Sequence, residues 1–377
     1  MPATCTWFDA HLDLACLAVN GRDMFAQPED IHEKPGPAGA TLPSLIEGRV
    51  RLCLGTIFTE PDGEGPEGYP AGDVERAHTV GRAQLEAYLT WRDRAVISLD
   101  RLAALRAQHA GGSGGLGEIR AGMGVSEVVP LSTRATLARI PARPPIHLGI
   151  LIENADIIKS PDQLAWWQER GVVAVGMAWA KSSRYAGGNR SSDGLTPLGK
   201  DLVREMDRLG IVHDVSHLSD RAFADLCETT DKLLIASHSN CRAITDPSGA
   251  NQRHLTDAQI VEIARRGGVI GLNLFSMFLT PRCGESGRAT IDETIAHLER
   301  ICELAGEGGG VGGRRHIGLG SDMDGGFAAD RLPKGINRPR DYQRLAEALA
   351  DRHWSDADID AFAAGNWMRV FGQCGGR

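Results

Sequence analysis

Short, almost continuously apolar runs recur along this chain, and amphipathic stretches separate most of them. Eight runs have the length and branched-aliphatic content of strands buried on both faces: TWFDAHLD (6–13), VRLCLGTIF (50–58), IHLGILIE (146–153), VVAVGMAW (172–179), IVHDVSH (211–217), LLIASHS (233–239), VIGLNLF (269–275) and HIGLGSD (316–322). The intervening stretches read as helices. DVERAHTVGRAQLEAYLTWRDR (73–94) is long and amphipathic, and LTPLGKDLVREMDRLG (195–210) opens on a Thr–Pro start and stops at Gly210. LSDRAFADLCETT and LTDAQIVEIARRGG each begin with Ser or Thr before Asp, and DETIAHLERICELAG precedes the eighth run. Eight repeats of strand then helix predict the α/β class and a closed (β/α)8 TIM-type barrel rather than an open sheet. The tail RDYQRLAEALADRHWSDADIDAFAAGNWMRVFG reads as two further helices, the second capped by Ser355. Residues 1–377 are expected to form a single domain.

Three segments break the rhythm. Residues 60–72 form a Gly/Pro-rich loop after the second strand, and residues 306–313 a glycine-rich surface loop. Residues 110–145 separate the second and third strands by far more than an ordinary connection, so this insertion is expected either to be flexible or to act as a lid.

Composition narrows the function classes. With 42% hydrophobic and 24% charged residues, the chain has the material for a large core. Its 41 basic against 49 acidic side chains leave a formal charge of −8 and no basic run, which argues against nucleic acid as a partner. No apolar stretch approaches the ~18 residues of a membrane span. The start MPATCTWFDAHLDL lacks the basic-then-apolar order of a signal peptide, and the eight cysteines are scattered without a CxxC pair. A reducing, cytoplasmic location is the expectation.

The chemistry lies where the runs end. His11, Asp13, Glu153, His217, His238 and Asp322 each close or follow an apolar run. A parallel barrel gathers the C-terminal ends of its strands on one face, so residues remote in sequence meet there. Each motif is weak singly, but their shared position after strands is not accidental. Imidazoles and carboxylates together suit zinc, and this number suits two zinc ions. Glu153, ending a run of apolar residues, is costly unless paired or metal-bound, and its two oxygens can bridge two cations. His213 lies deeper in its strand and reads as structural. With a strand period of two, His11 and Asp13 are expected to point the same way, into the barrel mouth, with Asp9 also on that face, and either or both of Asp322 and Asp324 can reach the mouth.

The motifs DAHLD, DVSH, SHSN with a following Arg253, GLGSDMDG and the WSDADIDAFAAGNWMRVFG tail, in this order from Asp9 to Phe371, resemble the membrane (renal) dipeptidase family of zinc peptidases, of the amidohydrolase-type superfamily. That resemblance implies that His11 and Asp13 hold one zinc, His217 and His238 the other, and Glu153 bridges them. Asp322 would approach the first zinc and serve as the catalytic proton carrier, and Arg253 would receive the substrate carboxylate. A hydroxide shared by the two cations would cleave dipeptides or similar small amides. A homodimer is implied by resemblance only.

The recognition shell departs from the family pattern. Trp179 stands where the family has a histidine, Phe275 where it often has a tyrosine, and His254 where asparagine usually follows the arginine. Trp179 and Phe275 are therefore expected among the substrate-binding residues of an altered pocket. Two other readings stay open: an amidohydrolase acting on a different small amide, lactone or ester, with Lys181 as a carboxylated bridging ligand, and a non-catalytic paralogue.

Overall fold

In the computed structural model, residues 4–32, 36–99, 146–283, 287–306 and 311–371 are described. The expected insertion at 110–145 lies outside them. Eight parallel strands run β1 (Trp7–Leu12), β2 (Val50–Phe58), β3 (Ile146–Glu153), β4 (Val172–Gly176), β5 (Val212–Asp214), β6 (Leu234–Ile235), β7 (Ile270–Leu272) and β8 (Ile317–Leu319). They pair in sequence order from β1 to β6, and β8 pairs with both β7 and β1. The circle closes at a parallel bridge between Ala236 and Ile270, where the Gly271 N–H donates to Ala236 O at 2.7 Å. This is the expected (β/α)8 barrel.

The last four strands are only two or three residues long. The apolar runs that forecast them continue for several residues, but the backbone leaves the ladder early. It does so at the residues that lead to His217, His238, Phe275 and Asp322. The helices match their forecasts closely. Thr196, Ser219 and Thr256 cap Pro197–Leu209, Asp220–Thr229 and Asp257–Arg265 through their side chains, and Gly210 ends the first of these in the left-handed region at φ 71°. Ser355 caps the last helical segment, which contains a π-helical turn at Ala361–Gly365. The 60–72 loop is more ordered than expected, because Glu60–Pro61 pairs with Gly68–Tyr69.

Alternate residues from successive strands fill the barrel. Phe8 and Ala10, Leu52 and Leu54, Leu151, Ala174, Val212 and Ile235 form one buried cluster with Trp367, Val370 and Phe371. The C-terminal helix Asn366–Phe371 therefore plugs the end opposite the site, with the Trp367 indole N–H donating to Leu319 O at 2.9 Å. Gly318 makes room for that ring: a Cβ there would stand 2.2 Å from Trp367 Nε1. A second, larger cluster packs the helices onto the outside of the barrel. No helix among the described residues is long and apolar enough to cross a membrane.

Candidate metal centre

All six forecast ligand residues meet at the C-terminal mouth. His11 Nε2 lies 3.3 Å from Glu153 Oε2 and 3.8 Å from Asp13 Oδ1. His217 Nε2 and His238 Nε2 lie 2.9 and 3.5 Å from Glu153 Oε1. Potential ligand atoms of His11, Glu153 and His238 lie within 4.8 Å of one another, as do those of His11, Asp13 and Asp322. His11 belongs to both groups, and every member is nearly or fully buried.

Local structure explains how each side chain arrives. Glu153 ends β3 in register with Phe58 on one side and Gly176 on the other. Asn154 then turns the chain at φ 75°, its side chain bonded to Thr59 O and the Tyr69 hydroxyl. His11 reaches the mouth differently from the forecast. The β1–β2 register slips between Asp9 and Leu12, setting three steps of β1 against two of β2. Phe8 and Ala10 face the barrel core, and the slip brings His11 round to the same side. Asp13 lies beyond β1, at the cap position of Leu14–Val19, yet its side chain caps nothing. It turns to the cluster instead, where the Thr56 hydroxyl donates to it. The expected two-residue alternation of His11 and Asp13 is thus replaced by a bulge and a helix start. Asp322 takes φ 57°, a strained setting for a non-glycine residue, and Asn273 Nδ2 donates to its Oδ2 at 2.8 Å.

The outer nitrogens of all three imidazoles are engaged. His217 Nδ1 lies 2.9 Å from Asn189 Oδ1, and His238 Nδ1 and His11 Nδ1 lie 2.8 and 3.3 Å from Ser237 Oγ. The Ser237 hydroxyl donates to Asp214 Oδ2 at 2.6 Å, so toward the imidazoles it acts as acceptor. For His217 and His238 this fixes the Nδ1–H tautomer and turns unprotonated Nε2 atoms inward, while on His11 it leaves Nε2 facing the carboxylates. His217 Nε2 and His238 Nε2 then face one another at 3.0 Å with no proton between them. Glu153 Oε1 is buried without a hydrogen bond. Facing lone pairs beside an unsatisfied carboxylate oxygen need a cation, and two ligands of one tetrahedral zinc stand roughly 3.3 Å apart. The donor set fits a metal.

Electrostatics agree. Burial pushes Asp322 up to about 7, with Asp13 and Glu153 adding to it, and pushes Asp13 up to about 6. Burial opposes charge on His11, yet Glu153, Asp13 and Asp322 overcome it and raise the imidazole to about 10. Burial lowers His217 to about 4. Burial also opposes ionisation of Glu153, but His11 and His217 hold it below the usual carboxylate range. Three carboxylates around one chargeable imidazole leave negative charge that a cation would neutralise.

The remaining forecasts sort clearly. Arg253 is buried, its guanidinium bonded to Ser216 O, Ser239 Oγ and His238 O, and it lines the same cavity. Trp179 packs edge-on against Phe58 at 5.0 Å and 6.0 Å from the His217 ring, and Phe275 also lines the cavity. Asp9 lies inside the barrel wall, accepting from Ser321 and the Tyr342 hydroxyl, and is not at the mouth. Asp324 pairs with Arg22 and is not part of the cluster. His213 bonds Asp207 at 2.7 Å, a structural role as expected. Lys181 is the correction: its ammonium donates to Pro61 O at 2.9 Å, half-exposed and away from the cluster, while Glu153 lies among the three imidazoles. Sequence reading missed Ser237 and Asp214, polar residues at strand ends, and Asn189, which lies in the long loop after β4. It also missed Phe278 and Phe327, which belong to loops without periodicity.

The family described as membrane dipeptidase, peptidase family M19, matches residues 126–375. A Schizosaccharomyces pombe protein described as an uncharacterized dipeptidase is 30% identical over 219 residues, 57% of this chain and 50% of that relative. The match thus spans about half the relative's length. Among solved structures, a metallopeptidase of family M19 described as dipeptidase AC superposes with a TM-score of 0.75 at 23% identity, covering 98% of this chain and 99% of that one. A Rhodobacter sphaeroides metallopeptidase, solved with a phosphinate mimic of the dipeptide L-Ala-D-Ala, gives 0.74 at 23% identity over 99% and 100%. At these identities the likeness shows the fold.

Proposed function

Because the chain belongs to the membrane dipeptidase family, peptidase family M19, we propose that it is a dinuclear zinc dipeptidase that hydrolyses dipeptides or closely similar small amides. His11 and Asp13 would hold one zinc, His217 and His238 the other, with Glu153 between them and Asp322 beside the first. The observation that carries this reading is the convergence of three Nε2 atoms on Glu153, with every Nδ1 pinned outward. Bound zinc supplies Lewis acidity and lowers the pKa of water toward neutrality.

The chain's own residues supply the rest. Arg253 lies at the cavity wall beside the imidazoles and anchors the substrate carboxylate, its guanidinium already oriented by three acceptors. Asn273 fixes one oxygen of Asp322, leaving the other to accept a proton from water and pass it to the departing amine. The walls formed by Trp179 and Phe58 limit solvent around the scissile bond. No protein nucleophile is needed. Among the described residues, the free cysteines lie mainly in the packed core.

Metal analysis with a panel of dipeptides and lactams tests this. Zinc-loaded protein is expected to cleave dipeptides, and Asp322→Asn to keep its metal while losing ~10²–10⁴-fold in turnover. Protein that loads metal and binds short peptides yet cleaves none of the panel would overturn the proposal.

A further inference from the structure

On the Arg253 side of the cavity three phenylalanines form one wall. The Phe275 and Phe327 rings are nearly parallel, 18° apart with centroids at 4.2 Å, and Phe278 meets Phe275 edge-on at 4.9 Å. All three are only half-buried and line the cavity of about 910 Å³ that contains the metal-type cluster. The wall is joined to the anchoring arginine, because the Arg253 guanidinium lies 5.2 Å over the Phe278 ring. It is joined to the proton carrier too: Asn273 holds Asp322, and its Oδ1 accepts from the Phe275 N–H at 2.7 Å.

Such surface has a physical meaning. Apolar rings left part-exposed beside buried charge are unfavourable in water and gain from further apolar cover. The backbone of Phe275 and Phe278 is firmly placed, and Phe327 stacks on Phe275. Phe275 N–H is bonded to Asn273, Phe278 N–H donates to Phe275 O at 2.7 Å, and Asn240 donates to Phe278 O at 2.8 Å. The wall is therefore preformed, as binding pockets usually are. A substrate whose terminal carboxylate sits at Arg253 has one side chain within reach of it: the side chain of the carboxyl-terminal residue. The geometry points to a specificity site in which Phe275, Phe278 and Phe327 receive a large apolar carboxyl-terminal side chain, making dipeptides that end in a phenylalanine-sized residue the preferred substrate class. This rests on the dipeptidase reading and on Arg253 as the carboxylate anchor.

The test compares Ala–Phe with Ala–Gly, each in L form and with D-phenylalanine included, on zinc-loaded protein. Both hydrolysis and equilibrium binding by calorimetry are measured. Ala–Phe is expected to exceed Ala–Gly by at least ~10-fold in kcat/KM, mostly through KM, since each buried methylene contributes on that scale. Phe327→Ala is expected to bring that ratio down to within about threefold, the advantage being lost with the stacked ring. Equal values for the two dipeptides in the wild type overturn the inference, as does a Phe327→Ala variant that keeps the full ratio. If Phe327→Ala does not fold, the wild-type binding ratio decides alone. Discrimination in binding without cleavage of any dipeptide would leave this subsite standing and defeat the hydrolase reading. Cleavage without discrimination would do the reverse, and no binding of either dipeptide would defeat the subsite.

Discussion

Ser237 Oγ lies 2.8 Å from His238 Nδ1, and the same oxygen lies 3.3 Å from His11 Nδ1. One hydroxyl, held by Asp214, thus orients imidazoles from two strands that are not neighbours in the barrel. The His11 and His238 rings stack at 3.5 Å as a result. Ser237→Ala removes the shared acceptor without adding bulk. Metal affinity is expected to fall ~10–100-fold, the usual loss for an outer-shell partner. Competition against a chelating dye measures this, and an affinity within twofold of wild type would refute the orienting role.

Glu153→Gln tests the centre of the cluster. Glutamine keeps the shape but offers one oxygen and an amide donor, so it cannot join two cations. The expected result is loss of metal affinity beyond the ~10–100-fold seen for outer-shell changes, together with loss of hydrolysis. Elemental analysis after dialysis reads the stoichiometry. A fully loaded Glu153→Gln protein would show that Glu153 does not bridge.

Gly325 lies against the cluster for a steric reason. A Cβ there would stand 1.9 Å from Asp322 Oδ1 and 3.0 Å from Asp13 Oδ2. Gly325→Ala forces both carboxylates to move, and a misplacement near 1 Å costs ~10²-fold in rate. Turnover is expected to fall on that order while the thermal midpoint shifts little. A variant with unchanged kcat would show that the Asp322 carboxylate can rotate freely.

His297 provides a pH test away from the metal-type residues. It is fully buried, accepts from the Cys241 N–H at Nδ1 (3.1 Å) and donates from Nε2 to Leu279 O (2.9 Å). Burial lowers its pKa from 6.5 to about 4. The unfolded chain therefore binds the proton more readily, and its contribution to stability is complete above pH 6.5 and lost as pH falls through 4. Denaturant midpoints are expected to drop between pH 7 and 5, and more steeply in wild type than in His297→Gln, which cannot titrate. Identical slopes in the two proteins would remove His297 as a cause.

Much of the architecture was legible in the sequence because strand and helix periods are local properties. The buried strands announced themselves as apolar runs such as IHLGILIE, and the caps at Thr196, Ser219 and Thr256 as Ser or Thr before helical stretches. The six cluster residues were legible for a related reason: closing a parallel barrel brings every strand end to one face. Local period failed at β1, where a register slip that depends on pairing with β2 turned His11 inward.

The sequence by itself determined the barrel, the helix boundaries and the positions where imidazole and carboxylate groups end apolar runs. Those follow from hydrophobic spacing and capping chemistry between near neighbours. Only the tertiary structure decided that Lys181 turns away to Pro61, that Asp214 and Ser237 orient distant histidines, and that Phe275, Phe278 and Phe327 form one wall. Each of these depends on which loops the closed barrel presses together, and that is a matter of three-dimensional distance that no spacing along the chain encodes.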